Sequence, residues 1–246
     1  MYQALKKTTL KLIPKSLLFK FEPFLRGIFS LSHKGNAYTC NICDSGWKEF
    51  VILPNGNKVC PKCGSGGRER RLWSLLKDNY IGQNLTHLDF SPARSLFRKL
   101  KKTKNHQYIA SDLSGDFLSD VQFDITDIQA SDGSYDLITC YHVLEHVPDD
   151  TTAMKELYRT LKSNGVCFIQ TPFKDGEIYE NPEVTTPEER LEHFGQEDHV
   201  RVYSVHGLKE RLEMAGFEIQ ELTFSEKADN QFGFKTSETV LVCRKN

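Results

Sequence analysis

Two groups of residues in this chain have the types and spacing to do chemistry. The first is four cysteines. Cys40-Asn41-Ile42-Cys43 and Cys60-Pro61-Lys62-Cys63 are C-x-x-C pairs with sixteen residues between them, a spacing that fits a four-cysteine zinc site. Each pair can bend round one side of a tetrahedral Zn2+, with Gly46 and Gly64 as permissive backbone just beyond. A closed set of four thiolates leaves no open position, which makes the ion structural. Between the pairs, Phe50-Val51-Ile52-Leu53 reads as a strand, Pro54–Asn57 as a turn and Lys58-Val59 as the return of a zinc ribbon.

The second group lies in Tyr135–Asp150, YDLITCYHVLEHVPDD. Its first six residues are an apolar, β-branched run of buried-strand length. The run passes directly into His142, Glu145 and His146. Histidine titrates near neutrality, so His142 and His146 are candidate general bases, with a hydrogen-bonded loop histidine as the plain alternative. His142-Val143-Leu144-Glu145-His146 also matches H-x-x-E-H, an inverted zinc-protease pattern. That chemistry needs a settled helix; here a strand precedes the pentad and Pro148 closes it, which disfavours the protease reading.

The elements that must position these groups alternate between strand and helix, an α/β pattern whose ligands bind at the carboxyl ends of the strands. Thr86–Phe90 reads as the first strand, Ser91-Pro92-Ala93-Arg94 as its turn and Ser95–Leu100 as a helix. Gln107–Asp112 is a second strand ending in an acid, placed where a carboxylate can accept both hydroxyls of a ribose. Phe123–Asp127 reads as a third strand and the run around Ile138 as the fourth. Asp149 or Asp150 caps a helix that runs through Leu161 and stops at Asn164-Gly165. Val166–Gln170 is the fifth strand. Residues 173–204 are longer than an ordinary connection and charged, which predicts an insertion or lid. Tyr179, Glu180, His193, Asp198, His199 and Arg201 within it suit sugar hydroxyls, or a phosphate in the case of Arg201; the run 196–201 can equally pair internally. A helix over His206–Ala215 stopped by Gly216, then strands Phe217–Leu222 and Val240–Cys243, complete the sheet.

The chain of 246 residues has room for an α/β core and a small module. A net charge of -1 gives no reason to expect nucleic acid as a partner. Four of seven cysteines lie in the two pairs and no secretory signal is visible, which points to a reducing cytoplasm. Cys140, Cys167 and Cys243 read as small core residues. Residues 1–30 combine Lys6, Lys7, Lys11, Lys15, Lys20 and Arg26 with leucines, isoleucines and phenylalanines, interrupted by Pro14 and Pro23. No run is long enough to span a bilayer. The segment could lie peripherally on an anionic membrane, at its inner face, or pack on the protein or a second subunit. Arg68, Arg70 and Arg71 could grip phosphate or form an internally paired helix face. The expected domains are a basic segment 1–35, a ribbon 36–67 and an α/β domain 68–246 with its insertion at 173–204.

Asp112, Asp124-Ile125, the segment Tyr135–His146 and LKSNG before a strand resemble the class I S-adenosylmethionine-dependent methyltransferases over about Leu72 to Cys243. More narrowly, KGNAYTCNIC, CPKCGSGGRERRLW, LDFSPARSL, HVLEHVPDD and FGQEDHVRVYS make the chain similar to zinc-ribbon methyltransferase-domain proteins found with bacterial surface-polysaccharide genes. The resemblance implies a Rossmann-like seven-stranded sheet of order 3-2-1-4-5-7-6 with the last strand antiparallel, and S-adenosylmethionine as cofactor. Asp89, Phe90, Ser91, Asp112, Leu113, Asp124, Ile125, Tyr141 and His142 would bind it: Asp112 at the ribose, Asp124 and Ile125 at the adenine, Phe90 and Ser91 near the methionine part, Tyr141 and His142 facing the sulfonium. Tyr179, Glu180, Asp198, His199 and Arg201 would meet a small-molecule or glycan-like acceptor, with His142, His146, Tyr179 and His199 as catalytic candidates. SPAR stands where the general pattern has a glycine-rich loop, so the backbone there is expected to approach a ligand less closely. A non-catalytic binding module, or a nucleic-acid or protein methyltransferase that uses the ribbon for delivery, are the alternative functions.

Overall fold

Residues 15–225 and 229–246 are described by the computed structural model of the protein; Lys6, Lys7, Lys11 and Pro14 of the basic segment lie outside them. The chain forms two compact units. Of the described residues, the first holds 15–78, 93–99 and 229–235, and the second 79–92, 100–225 and 236–246.

In the first unit, helix α1 (Lys15–Ser30) precedes two small antiparallel ribbons, β1 (Lys34–Cys40) with β2 (Ser45–Trp47) and β3 (Val51–Ile52) with β4 (Lys58–Val59). Each cysteine pair is followed by a residue in the left-handed region, Asp44 at φ 52° and Gly64 at φ 77°. Asp44 thus supplies the reversal expected of Gly46. Gly46 instead lies within β2, where a Cβ would stand 2.6 Å from the Gly35 carbonyl oxygen; the close crossing of β1 and β2 is what excludes a side chain there. Helix α2 (Gly67–Lys77) buries Leu72, Trp73 and Leu76, and Ile42, Trp47 and Phe50 of the ribbons are buried as well.

Arg70, on α2, is fully buried. It donates to the carbonyls of Phe232 (2.5 Å), Ser65 (2.5 Å), Lys58 (2.9 Å) and Gly233 (2.7 Å), and its guanidinium lies 4.1 Å from the Phe50 ring centroid. Arg71 donates to the Lys235 carbonyl at 2.8 Å and covers Phe234. Planar, multiply donating guanidinium groups can knit several carbonyls at once, and here they fasten residues 232–235 to the ribbons. The phosphate-gripping alternative for Arg70 and Arg71 is replaced by this internal role. Glu22 of α1 is bound by Arg26, Arg94 and Arg98 at 2.8–3.0 Å. Burial would raise its carboxyl, but those hydrogen bonds hold it at about 2. The other side of α1 leaves Leu17, Phe21, Phe24, Leu25, Ile28 and Phe29 exposed. Among the described residues no helix is long and apolar enough to cross a membrane.

The sheet begins with β5 (Thr86–Phe90), followed by α3 (Arg94–Leu100), β6 (Gln107–Ser111), β7 (Tyr135–Tyr141), α4 (Asp150–Thr160) and β8 (Leu161–Gln170). An insertion contributes β9 (Tyr179–Glu180), α5 (Pro187–Phe194) and β10 (Arg201–Val202). Helix α6 (Val205–Met214) then leads to β11 (Glu218–Phe224) and β12 (Glu238–Arg244). Six strands pair in the order β11-β12-β8-β7-β5-β6. The run β6, β5, β7, β8 is parallel, and β12 is antiparallel to both of its neighbours. Its core packs Leu88, Ile138, Cys140, Met154, Leu157, Cys167, Ile169 and Cys243, all essentially inaccessible. Near-continuous apolar runs suit strands covered on both faces.

Two expected elements differ. Phe123–Asp127 is a turn and not a third strand, and among the described residues the sheet continues beyond β6 as a single parallel bridge between Ser111 and Val121. The Asp124 carboxylate accepts from the Thr126 N–H (2.8 Å) and hydroxyl (2.7 Å), a local bond of the kind that competes with strand pairing. Likewise α4 ends at Thr160, and Leu161–Gly165 already belongs to β8, with Asn164 left-handed at φ 61°. The Asn-Gly pair makes an irregularity inside a strand instead of a helix stop.

Candidate functional site

The four cysteines converge in the first unit. Cys40 and Cys63 sulfurs lie 3.6 Å apart and those of Cys43 and Cys60 3.7 Å apart, with all four within 4.8 Å of one another. A tetrahedral ion with metal–sulfur bonds of about 2.3 Å sets sulfur–sulfur edges of about 3.8 Å, so the cage has the right size. The Ser65 hydroxyl lies 3.3 Å from Cys40 Sγ and 3.2 Å from Cys63 Sγ.

In the second unit, the carboxyl ends of β5, β6, β7 and β8 make a rim. Ser91, the first residue past β5, is left-handed at φ 46°, and His142, the first past β7, at φ 57°. Non-glycine residues there cost energy and cluster at functional sites. Ser91 therefore adopts a conformation that a glycine would supply at less cost. Its hydroxyl donates to Asp112 at 3.0 Å. Asp112 is 2% exposed and also accepts from the Ser114 hydroxyl (3.0 Å) and from the backbone N–H groups of Asp116 (3.0 Å) and Phe117 (3.3 Å). Beside this buried carboxylate, Leu113 (61%) and Phe117 (41%) are exposed. His142 donates its backbone N–H to the Gln170 carbonyl at 2.8 Å. Gln170 Oε1 and Thr171 Oγ1, at the end of β8, are buried without a hydrogen-bond partner. Tyr141 is half-buried at the end of β7. Phe90 and Ile125 sit in the core, and Asp124 is engaged with Thr126 as described.

Asp89 lies within the sheet, where it accepts from the Thr139 hydroxyl at 2.6 Å and the Tyr108 hydroxyl at 2.8 Å. Thr139 also meets the buried His87 at 2.8 Å, and His87 meets His106 at 3.1 Å. Burial raises the Asp89 carboxyl to about 7 against the lowering effect of its two hydroxyl partners. The folded state thus keeps a proton that the unfolded chain releases near its ordinary value of 3.8. The contribution to stability is fully present below pH 3.8 and is lost as pH rises to about 7, a gap worth about 4 kcal/mol. Relative to Asp89→Asn, the wild type is expected to lose stability by up to that amount between pH 4 and pH 8 in urea unfolding; parallel profiles would refute the assignment.

The insertion has a small core of Val184, Phe194 and Val202. Thr186 and Glu189 form a capping box on α5, and Gly195 closes the helix at φ 85°. Arg201 is buried: it donates to Glu180 Oε2 (2.8 Å), to the carbonyls of Leu144 (3.3 Å) and Pro148 (2.7 Å), and to that of Val147. Arg211 joins Glu180 and Asp150 at 2.7 and 2.6 Å, and Tyr203 donates to Asp150 at 2.5 Å. Arg201, with Glu180 and Arg211, forms the strut that fixes the insertion to the segment 144–150. Tyr179 and His193 pair with each other at 2.6 Å.

That strut sets a second convergence. Leu144–His146 is a 3-10 turn, not an α-helix, and it brings Glu145 and His146 against His199 of the insertion. One ligand-type atom from each lies within 4.8 Å of the others. His142 Nδ1 faces Glu145 Oε1 at 3.1 Å. Asp198 faces His146 Nδ1 at 3.3 Å. Burial, then the neighbouring His146, lower the His199 ring below the ordinary histidine value. Gln170, Thr171 and Ser114 were not singled out from sequence; Glu145 was noted there beside the two histidines, as the acid of H-x-x-E-H, but given no role.

The sheet is mostly parallel and Rossmann-like, with polar groups gathered at its strand ends. Residues 66–222 match the methyltransferase domain family model, well over half of the chain, and the protein belongs to that family. It is 31% identical over 91 residues to a ubiquinone biosynthesis O-methyltransferase of Xanthomonas oryzae pv. oryzae (strain PXO99A), covering 37% of this chain and 35% of that relative. The chain thus spans about a third of the length of this curated relative. Its fold is similar to that of a SAM dependent methyltransferase from Archaeoglobus fulgidus (TM-score 0.52, 18% identity, 73% of this chain and 95% of that one). It is also similar to the YcgJ protein from Bacillus subtilis (TM-score 0.50, 14% identity, 72% and 99%).

Proposed function

We propose that the protein transfers a methyl group from S-adenosylmethionine to a hydroxyl of a small, glycan-like acceptor, in surface-polysaccharide biosynthesis. The observation that carries this reading is Asp112, a buried carboxylate held by backbone N–H groups and capped by two rotatable seryl hydroxyls. Those hydroxyls can be exchanged like for like with the diol of a ribose, while the backbone donors keep the carboxylate in place. Exposed Leu113 and Phe117 offer apolar surface for a purine. The residues fit the cofactor: Asp112 would hold its ribose, Leu113 and Phe117 its base, and Ser91, Tyr141 and His142 would border its reacting end. Bound there, the cofactor supplies a methyl carbon made electrophilic by an adjoining sulfonium. The chain's own work is alignment of the acceptor and exclusion of water. Of the candidate bases, His142 stands at that edge.

Hydroxyl methylation is supported by the relative whose name is ubiquinone biosynthesis O-methyltransferase. Consumption of Arg70 and Arg71 by internal carbonyls disfavours a nucleic-acid acceptor. Incubation with methyl-labelled S-adenosylmethionine and a cell extract, followed by separation of saccharide, protein and RNA fractions, is expected to place label in lipid- or nucleotide-linked saccharide. Label confined to RNA or protein would overturn the acceptor class.

The four-cysteine cage fits a structural Zn2+ held by Cys40, Cys43, Cys60 and Cys63, whose binding energy would be folding energy. The exposed apolar side of α1, in a segment with six basic residues and Glu22 as its acid, supports a peripheral seat on an anionic membrane. Flotation with phosphatidylglycerol vesicles should recover the full chain and lose it when Phe21 and Phe24 are changed to Ser; equal recovery of both would contradict this seat.

A further inference from the structure

We infer that Glu145, His146 and His199 form a second metal site, distinct from the cysteine cage, that takes a divalent transition-metal cation. Glu145 is 1% exposed and His199 4% exposed. Among the described residues, Glu145 Oε2 and His199 Nε2 have no hydrogen-bond partner; Glu145 Oε1 is paired with the His142 ring at 3.1 Å. One ring leaves the second oxygen of this buried carboxylate without a partner, which is costly, and a cation between the three groups would satisfy it. The outer ring nitrogens are already occupied. His199 Nδ1 lies 3.3 Å from the Phe194 carbonyl, and His146 Nδ1 lies 3.3 Å from both the carbonyl and the carboxylate of Asp198. Such partners fix the tautomer that leaves Nε2 as the ligand. Ligand atoms about 2.1 Å from one ion span up to about 4 Å, so the observed spread within 4.8 Å closes with small side-chain rotations.

Two imidazoles and one carboxylate leave coordination positions open, a donor set suited to Mn2+ or Fe2+ as well as Zn2+. The site lies three residues past His142 at the end of β7. Resting on the proposed methyl transfer, the inference gives the acceptor class more closely: a compound with two neighbouring oxygens that chelate the cation, which would make one hydroxyl easier to ionise. It also explains why H-x-x-E-H occurs without a protease helix. Only Glu145 and His146 of the pentad serve, and the third ligand arrives from the insertion through the Arg201 strut.

Mn2+ separates the two sites, because thiolates select softer ions. Titration of the full chain with Mn2+, read by the loss of free-ion paramagnetic resonance signal, is expected to show one saturable ion per chain. Glu145→Gln, His146→Ala and His199→Ala should each weaken it at least tenfold, while Glu192→Gln, an exposed acid of α5, should not. No binding at millimolar Mn2+, or binding unchanged in all three variants, would overturn the site. The partly exposed His146 provides the variant least prone to misfolding, checked by its thermal unfolding. S-adenosylmethionine binding measured on the same samples without Mn2+ reports separately on the methyltransferase reading.

Discussion

Cys60→Ser, or treatment with a strong chelator, is expected to unfold the first unit if the cysteine cage holds the proposed Zn2+. Structural zinc sites of this type contribute on the order of 10 kcal/mol at neutral pH, comparable to the whole stability of an ordinary domain. The ribbons are short, with two residues each in β3 and β4, and cannot replace that energy with pairing. Loss of the cage would also release the turn at Ser65, whose carbonyl accepts from the buried Arg70. Both tryptophans of the chain, Trp47 and Trp73, are buried in this unit. Their emission should shift to the red on chelation and recover when Zn2+ is restored. Unchanged emission after complete metal removal would show that the cysteines pack without an ion.

Asp112→Ala is expected to weaken S-adenosylmethionine binding about 100-fold. Hydrogen bonds to a charged group contribute about 1.5–3 kcal/mol each, and two to a ribose would account for a loss near 3 kcal/mol. Asp112 also fastens its own loop through Asp116 and Phe117, so part of the loss comes through the order of that loop. Asp112→Asn keeps one acceptor oxygen and should fall between the two. Calorimetric titration with thermal unfolding of each variant distinguishes the contributions. Unaltered affinity in Asp112→Ala would remove the ribose assignment.

The cysteine cage was legible because metal geometry imposes a spacing that few other constraints imitate, and β7 because a fully buried strand must be apolar along its length. The left-handed residue after the first cysteine pair was read as a glycine two positions on; an aspartate tolerates that conformation, and composition alone does not say where it will be used. Phe123–Asp127 has the apolar content of a strand, but an Asp-x-Thr bond within five residues outcompeted a ladder at the sheet edge. The insertion was visible from its length and charge. Which of its charges face a ligand was not, because Arg201 and Glu180 find Asp150, Arg211 and backbone carbonyls that are distant in sequence. His199 shows the same limit in reverse: its partnership with Glu145 and His146 depends on a strut no local pattern records.

Titration of the wild-type chain with S-adenosylmethionine tests the central claim most directly. A saturable isotherm of one cofactor per chain, strongly weakened by Asp112→Ala, is the predicted result; a flat isotherm at millimolar cofactor with folded protein would contradict it.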